Sequence, residues 1–362
     1  MKIDRRTLLA AGSVALAACG ARFAPSERGG STRLDALLAA NADVLPERAG
    51  AGANHYPMAG EVLETLGRSG AIPEGWISGA TGYAGDAPRS APIGDGGDAL
   101  GDPARYGDWL DLFRAEIARD GGEAVVARWV PVLAPGLSGG AFHGLIRTAH
   151  AYRALSRIDG MARRSELAAG LAYWASGHAE LGTRTDGRDL PLHLVEHPWL
   201  DASSDVDFFG VTRRLTEQPI APPLREDPPD VEARDALAAV VREAAAGFLE
   251  MLVQERHRIW MLHAVTAPAS VELLLPALEE GDARALVAHA RRAVSATFVA
   301  FGAPYEPRTS VRAEPGSWDD HVARAVASDS VHTLKLIEAL RRFDRGDDPL
   351  LRSVAAEWFD WS

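Results

Sequence analysis

The sequence predicts an all-α fold: a single large helical bundle-like domain with long irregular loops. Three observations predict it. Alanine is abundant throughout, apolar residues recur at the 3.6-residue period over long segments, and neither alternating β-branched runs nor strand–helix–strand alternation occurs. With 362 residues, 47% hydrophobic and 24% charged, the chain can bury a large core. Its net charge of −12, with no basic stripe carrying interleaved aromatics, argues against a nucleic-acid partner.

In chain order, Asp4-Arg5-Arg6-Thr7-Leu8-Leu9 is a twin-arginine pattern, and the apolar run after it ends at Ala15, too short for a permanent membrane span. Leu16-Ala17-Ala18-Cys19-Gly20 resembles the bacterial lipobox. Residues 1–18 therefore read as a leader and 19–30 as a tether, with the domain over 31–362. The expectation is export by the twin-arginine route to the cell envelope, with membrane contact only through a lipid on Cys19. Because Cys19 is the sole cysteine, no disulfide is available. Stability must come from packing or a bound cofactor.

A helix is expected from Ser31 or Thr32, with Leu34, Leu37 and Leu38 on one face. Asn54-His55-Tyr56-Pro57-Met58 opens a second, since proline suits a first helical turn. The glycines and prolines of residues 71–105 predict a long loop. Helical spacing resumes at Trp109–Ile117, Glu123–Leu133, Gly139–Ile158 and Ser165–His178. Residues 180–230 are irregular, with a short strand or helix expected near Val206–Leu215. One long helix is expected over Val231–Thr266, ended by Pro268, followed by helices at 269–279, 283–301, 318–344 and 349–359.

Of the 38 lysines and arginines, only Lys2 and Lys335 are lysines, so a lysine inside the apolar pattern Val331, Leu334, Leu336, Ile337, Leu340 is an exception. It follows His332 by three residues, which on a helix places both on one face. The eleven histidines are unequal. His178, His193, His197, His257 and His289 lie in polar or irregular surroundings and read as solvated or structural; His55, His143, His150, His263 and His332 lie in apolar or glycine-rich ones, with His321 a weaker candidate. His143 and His150, seven residues apart, share a helix face with Arg147 between them. His263 sits in an apolar stretch, where an imidazole needs a partner, a metal or a carbonyl. Asp329, three residues before His332, could fix that imidazole's tautomer. A buried lysine has a depressed pKa, and its neutral amine can capture carbon dioxide as an anionic carbamate that binds metal through oxygen.

The segments Asn54-His55-Tyr56-Pro57-Met58, Phe142-His143-Gly144-Leu145-Ile146-Arg147-Thr148-Ala149-His150, His263-Ala264-Val265-Thr266 and His332-Thr333-Leu334-Lys335 together resemble the questin oxidase family, in the family's order and across residues 31–345. The resemblance implies an all-helical fold and oxygen-dependent cleavage of polycyclic aromatic rings, of the anthraquinone type in fungal members. It also implies a mononuclear non-haem iron, Fe(II), with O2 as co-substrate, held by four histidines and a carboxylated lysine. Carried onto this chain, Lys335 is the carbamate ligand and His55, His143, His263 and His332 are the chosen imidazoles. His150 remains a substitute for one of these or an acid/base beside them. Other divalent transition metals suit the same donors. Arg147 could pair with an oxygen of the small aromatic substrate or form a salt bridge inside the bundle. The chain is shorter than the fungal members and carries an export signal, so the substrate does not transfer with the metal.

Competing signals are weaker. Gly136-Leu137-Ser138-Gly139-Gly140 fits Gly-x-Ser-x-Gly, but that motif needs a preceding strand, and Pro131 and Pro135 interrupt the run. No His-x-His supports a metallohydrolase, and no Gly-x-Gly-x-x-Gly supports a built-in dinucleotide site. The alternative of another class is a non-catalytic exported lipoprotein holding a small ligand in a helical cavity.

Overall fold

A computed structural model describes residues 32–48, 52–94, 99–183, 221–253, 258–301, 313–346 and 348–361. The leader, Cys19, the tether, His193, His197, His257 and the expectation at Val206–Leu215 lie outside the described residues.

The described chain is all-α. Its helices are α1 (Thr32–Ala40), α2 (Tyr56–Thr65), α3 (Glu74–Ser78), α4 (Tyr106–Asp120), α5 (Gly122–Leu133), α6 (His143–Arg157), α7 (Met161–Ser176), α8 (Ala233–Val253), α9 (Arg258–Val271), α10 (Glu280–Phe301), α11 (Trp318–Ala327), α12 (Val331–Phe343) and α13 (Pro349–Trp361). The one sheet among the described residues pairs β1 (Glu47–Arg48) with β2 (Gly52–Ala53), antiparallel. A continuous apolar core runs from Leu34, Leu37 and Leu38 on α1 to Trp358 on α13. Burial of the amphipathic faces holds these helices, because isolated helices of this length are marginal in water.

Five expectations need correction. The segment 71–105 contains α3 and two 3₁₀ turns (Gly79–Tyr83, Pro103–Arg105), follows a third at Ser69–Ala71, and is fastened to α4. There Asp108 accepts from the backbone N–H groups of Ser90 and Ala91, and Arg89 forks onto Asp111 at 2.7 and 3.1 Å. The single helix expected over Val231–Thr266 is two, α8 and α9, which pack against each other as one straight helix cannot. Pro268 lies inside α9, which continues to Val271, and a 3₁₀ turn at Leu275–Ala277 replaces the helix expected over 269–279. The helix expected over 318–344 breaks into α11 and α12 at Asp329, whose φ is +52°. The Ser330 hydroxyl then caps α12 by accepting from the Thr333 N–H.

Helix α6 begins at His143 rather than Gly139, because Gly140, Ala141 and Phe142 all adopt left-handed backbone angles just before it. For Ala141 and Phe142 this costs on the order of 1–2 kcal/mol each, so tertiary contacts must hold the turn. Two such contacts are close: a Cβ built on Gly139 would meet the Gly177 carbonyl oxygen at 1.7 Å, and one on Gly140 would lie 3.5 Å from the Tyr173 hydroxyl. Helices α6 and α7 cross in near contact for the same reason. A Cβ at Gly144 would lie 2.5 Å from the Trp174 Cα, and one at Gly170 would lie 2.8 Å from the Thr148 Cα. Both obstacles are backbone and cannot rotate away. Gly170→Ala is therefore expected to destabilise the protein by about 1–3 kcal/mol, measured by urea unfolding. An unchanged midpoint would show that the crossing has slack.

The crossing matters for what lies above it. Helices α2, α6, α9 and α12 form a ring in which each packs on the next, α2 on α6, α6 on α9, α9 on α12 and α12 on α2.

Candidate metal centre

One end of this ring gathers His55, His143, His263, His332 and Lys335. His55 is the N-cap residue of α2, His143 the first residue of α6, and His332 the second of α12. His263 stands inside α9. The ring centroids of His55 lie 4.8 Å from His143 and 4.4 Å from His332, and His263 lies 4.8 Å from His143 and 5.5 Å from His332. One nitrogen from each of His55, His143 and His263 lies within 4.8 Å of the others. Nitrogens about 2.1 Å from a tetrahedral metal lie roughly 3.4 Å apart, so the three rings would close in by somewhat over an ångström at most to bind one. The three histidines form a cluster that could hold a metal ion.

Local structure sets how each ring is presented. Asn54, buried, donates from Nδ2 to Asn41 Oδ1 at 2.6 Å and accepts the Tyr56 N–H at 3.2 Å, which fixes the backbone on either side of His55. His143 Nδ1 lies 2.7 Å from the Gly140 carbonyl oxygen, and His263 Nδ1 lies 3.0 Å from that of Ile259. Only a protonated Nδ1 can donate to a carbonyl. Each of these bonds therefore makes Nε2 the lone-pair nitrogen, the tautomer a metal needs.

The electrostatics keep the rings neutral. Burial first, then the charge of Lys335, pushes His143 down to about 3 and His332 down to about 3. His55 and His263 are lowered for the same leading reason, burial, with added repulsion from their neighbours. His55, His143 and His332 stand at the N-termini of α2, α6 and α12, whose positive ends further disfavour imidazolium. Burial alone lowers Lys335 to about 7, and among the described residues no carboxylate pairs with it. Its Nζ lies 2.7 Å from His55 Nδ1, a contact possible only when the two are not both protonated. His143, His263 and Lys335 are 2%, 1% and 1% exposed, a closed back wall, whereas His55 and His332 are half-buried and mark the side that solvent reaches.

Other expected residues lie elsewhere. No ring contact joins His150 to the four clustered histidines; its Nδ1 lies 2.7 Å from Glu61 Oε2, one layer down. Of the five candidates, the rings of His55, His143, His263 and His332 lie together, and His150 stands apart from them. Arg147 forks onto Glu166 at 2.7 and 2.8 Å with both side chains buried, so of its two readings the intrabundle salt bridge is the one found. Asp329 is exposed and makes no hydrogen bond to His332. The His332 tautomer is not set by that carboxylate. His321 is buried on α11 with Nε2 2.6 Å from the Pro315 carbonyl oxygen and its ring stacked on Phe359, a structural histidine. His178 and His289 are partly buried away from the cluster.

Sequence reasoning missed the supports: Asn54 and Asn41, the Tyr173 hydroxyl donating to Glu47 beside Gly140, and the buried carboxylates Glu61 and Glu338. Glu61, within Met58–Leu63, and Glu338, within Leu334–Leu340, are charges inside apolar stretches, the one signal that could have pointed to them. The chain matches no protein-family model, and no characterised protein is significantly similar to it in sequence.

Proposed function

We propose that the protein is a metal-dependent oxidoreductase, a mononuclear non-haem iron oxygenase of the questin oxidase type. Its reaction is oxidative ring cleavage or Baeyer–Villiger-type oxygenation of a polycyclic aromatic, anthraquinone-like substrate. In this reading His55, His143, His263 and His332 hold Fe(II) together with a carbamate on Lys335, and the chain reaches the cell envelope through its twin-arginine leader and a lipid on Cys19. The observation that carries it is the convergence of four distant segments: the histidines at 55, 143, 263 and 332 meet around the one lysine of the described chain. Neutral imidazoles with one anionic oxygen ligand suit Fe(II).

When bound, iron supplies the one-electron chemistry that lets O2 react with an organic substrate. The chain's residues supply the rest. Lys335, with its pKa lowered to about 7, presents a neutral amine near neutrality. Its Nζ adds to the carbon of CO2 and releases one proton. His55 Nδ1, 2.7 Å away, is the nearest acceptor for that proton, and loss of the Nε2 proton to solvent keeps the ring neutral. The carbonyls of Gly140 and Ile259 hold the protons of His143 and His263 away from the cluster. The half-buried side at His55 and His332 is the approach for a flat aromatic substrate, while the closed wall excludes water behind it.

The test is oxygen uptake by iron-loaded protein given hydroxylated anthraquinones and other fused phenols. Uptake that requires both iron and substrate, and that is lost in Lys335→Met, is the expected result. Tightly bound metal with ester or amide hydrolysis and no oxygen uptake points instead to a metallohydrolase. Absence of metal together with stoichiometric binding of an apolar ligand points to the non-catalytic lipoprotein.

A further inference from the structure

About one and a half turns below the candidate centre, the same four helices are joined a second time. Arg153 on α6 donates from Nε and Nη2 to the two oxygens of Glu61 on α2 at 2.8 and 2.6 Å. Its Nη1 donates to Glu338 on α12 at 2.6 Å. Glu338 also accepts from Arg342 Nε at 3.0 Å, and Arg342 Nη1 donates to the Ala269 carbonyl of α9 at 2.8 Å. His150 completes the layer on Glu61. The side chains of Arg153, Glu61 and Glu338 are only 11%, 1% and 5% exposed.

The register is regular. Glu61 follows His55 by six residues, Glu338 follows His332 by six, and Ala269 follows His263 by six. Six residues of helix rise about 9 Å, so on these three helices histidine and layer partner are separated by the same length in the same sense. Arg153 lies further along α6, and long helical side chains lean toward the N-terminus, which returns its guanidinium to this level. A buried ionic layer is poor evidence of stability, since apolar residues of similar volume often pack as well. What it does provide is directional: a planar fork satisfied on two carboxylates fixes the relative height and rotation of the helices that carry them.

We propose that the Arg153–Glu61–Glu338 layer positions the candidate metal centre, Arg153 acting as the residue that sets the spacing of the donor nitrogens without touching the metal. This rests on the metal-binding reading above. Of the ligand helices, Arg153 stands on α6 and bridges α2 and α12 directly, and Glu338 passes the constraint to α9 through Arg342.

The test uses the full chain, cobalt(II) as probe, and a control of matched burial. Arg163 on α7 is wholly buried and bridges Asp35 on α1, Glu64 on α2 and the Ala154 carbonyl on α6, so it meets two ligand helices near their C-terminal ends and reaches neither α9 nor α12. Arg153→Lys keeps the charge but cannot fork onto both carboxylates. The expected result is a cobalt affinity about 10- to 100-fold weaker in Arg153→Lys, with shifted visible absorption bands, the range found when outer partners of metal ligands are removed. Arg163→Lys is expected to lower thermal stability while keeping wild-type affinity and bands. Wild-type affinity and spectrum in folded Arg153→Lys overturn the proposal, as does an equal shift in Arg163→Lys, which would mark a general packing effect. Where Arg153→Lys does not fold, Glu338→Gln keeps the shape, and unchanged cobalt binding there overturns it equally. A wild-type chain that binds no cobalt sinks the metal reading first and this inference with it, a result distinct from all the others.

Discussion

His263→Ala is expected to weaken metal binding by at least about 100-fold, so that protein purified from iron-supplemented cells carries far less metal than wild type. The scale follows from what the residue is. Removing an outer partner of a ligand already costs 10- to 100-fold, and His263 is one of the three histidines that could hold the metal directly. It is 1% exposed, its Nδ1 proton is committed to the Ile259 carbonyl, and its ring lies 4.8 Å from that of His143 and 5.5 Å from that of His332. Alanine removes the imidazole that faces His143 from α9, and the buried imidazole of His150 is held on Glu61 rather than free to replace it. His321→Gln is the control, a buried histidine on α11 held by the Pro315 carbonyl. It should cost stability and leave metal content unchanged. Equal metal in His263→Ala and wild type, by elemental analysis, would place any metal outside this cluster.

Lys335→Arg is expected to destabilise the metal-free protein by about 3–5 kcal/mol, a large part of the stability of an ordinary domain. A lysine in this position can shed its proton. A guanidinium cannot, and among the described residues no carboxylate is paired with Lys335 to receive it. Lys335→Met, similar in length and uncharged, is expected to cost less than about 1.5 kcal/mol. The same physics gives a pH signature. In the folded protein burial lowers the amine to about 7, from 10.5. Between those values the unfolded chain binds the additional proton, so raising the pH favours the folded state. Stability of wild type in metal-free, CO2-free buffer should therefore climb from pH 7 toward pH 10, with a limiting slope of roughly 1.4 kcal/mol per unit, and Lys335→Met should remove that slope. Chemical denaturation across this range checks both claims. A flat wild-type profile, or Lys335→Arg as stable as wild type, would mean that the amine stays charged and solvated.

Helix identity was legible from apolar periodicity, and helix ends were not. The spacing of Leu237, Val240, Val241 and Phe248 continues in phase with Leu262 although α8 and α9 are separate, because both turn an apolar face to the same core. Asp329 breaks α11 from α12 with one left-handed residue, a conformation aspartate tolerates but does not advertise. Pro268 misled in the opposite direction, since α9 runs through it to Val271. Within the candidate site, His55, His143, His263, His332 and Lys335 stood out because each is a chemically capable residue in an apolar or small-residue setting, and Lys335 because arginine is the chain's habitual cation. Glu61, Arg153 and Glu338 did not stand out. In so acidic and arginine-rich a chain they look like solvated helix faces.

By itself, then, the sequence determined the helical class, the residues with metal-binding chemistry and the exceptional lysine, because periodicity and side-chain chemistry are local properties. The tertiary structure alone decided which four of five histidine rings lie together, that His150 and Arg147 serve carboxylates, and that a buried ionic layer lies six residues beyond His55 and His332. Apart from Arg147–Glu166, 19 residues apart, these depend on distances between helices far apart in sequence, the clustered histidines being 69 or more residues from one another, and no local pattern encodes how four helices meet.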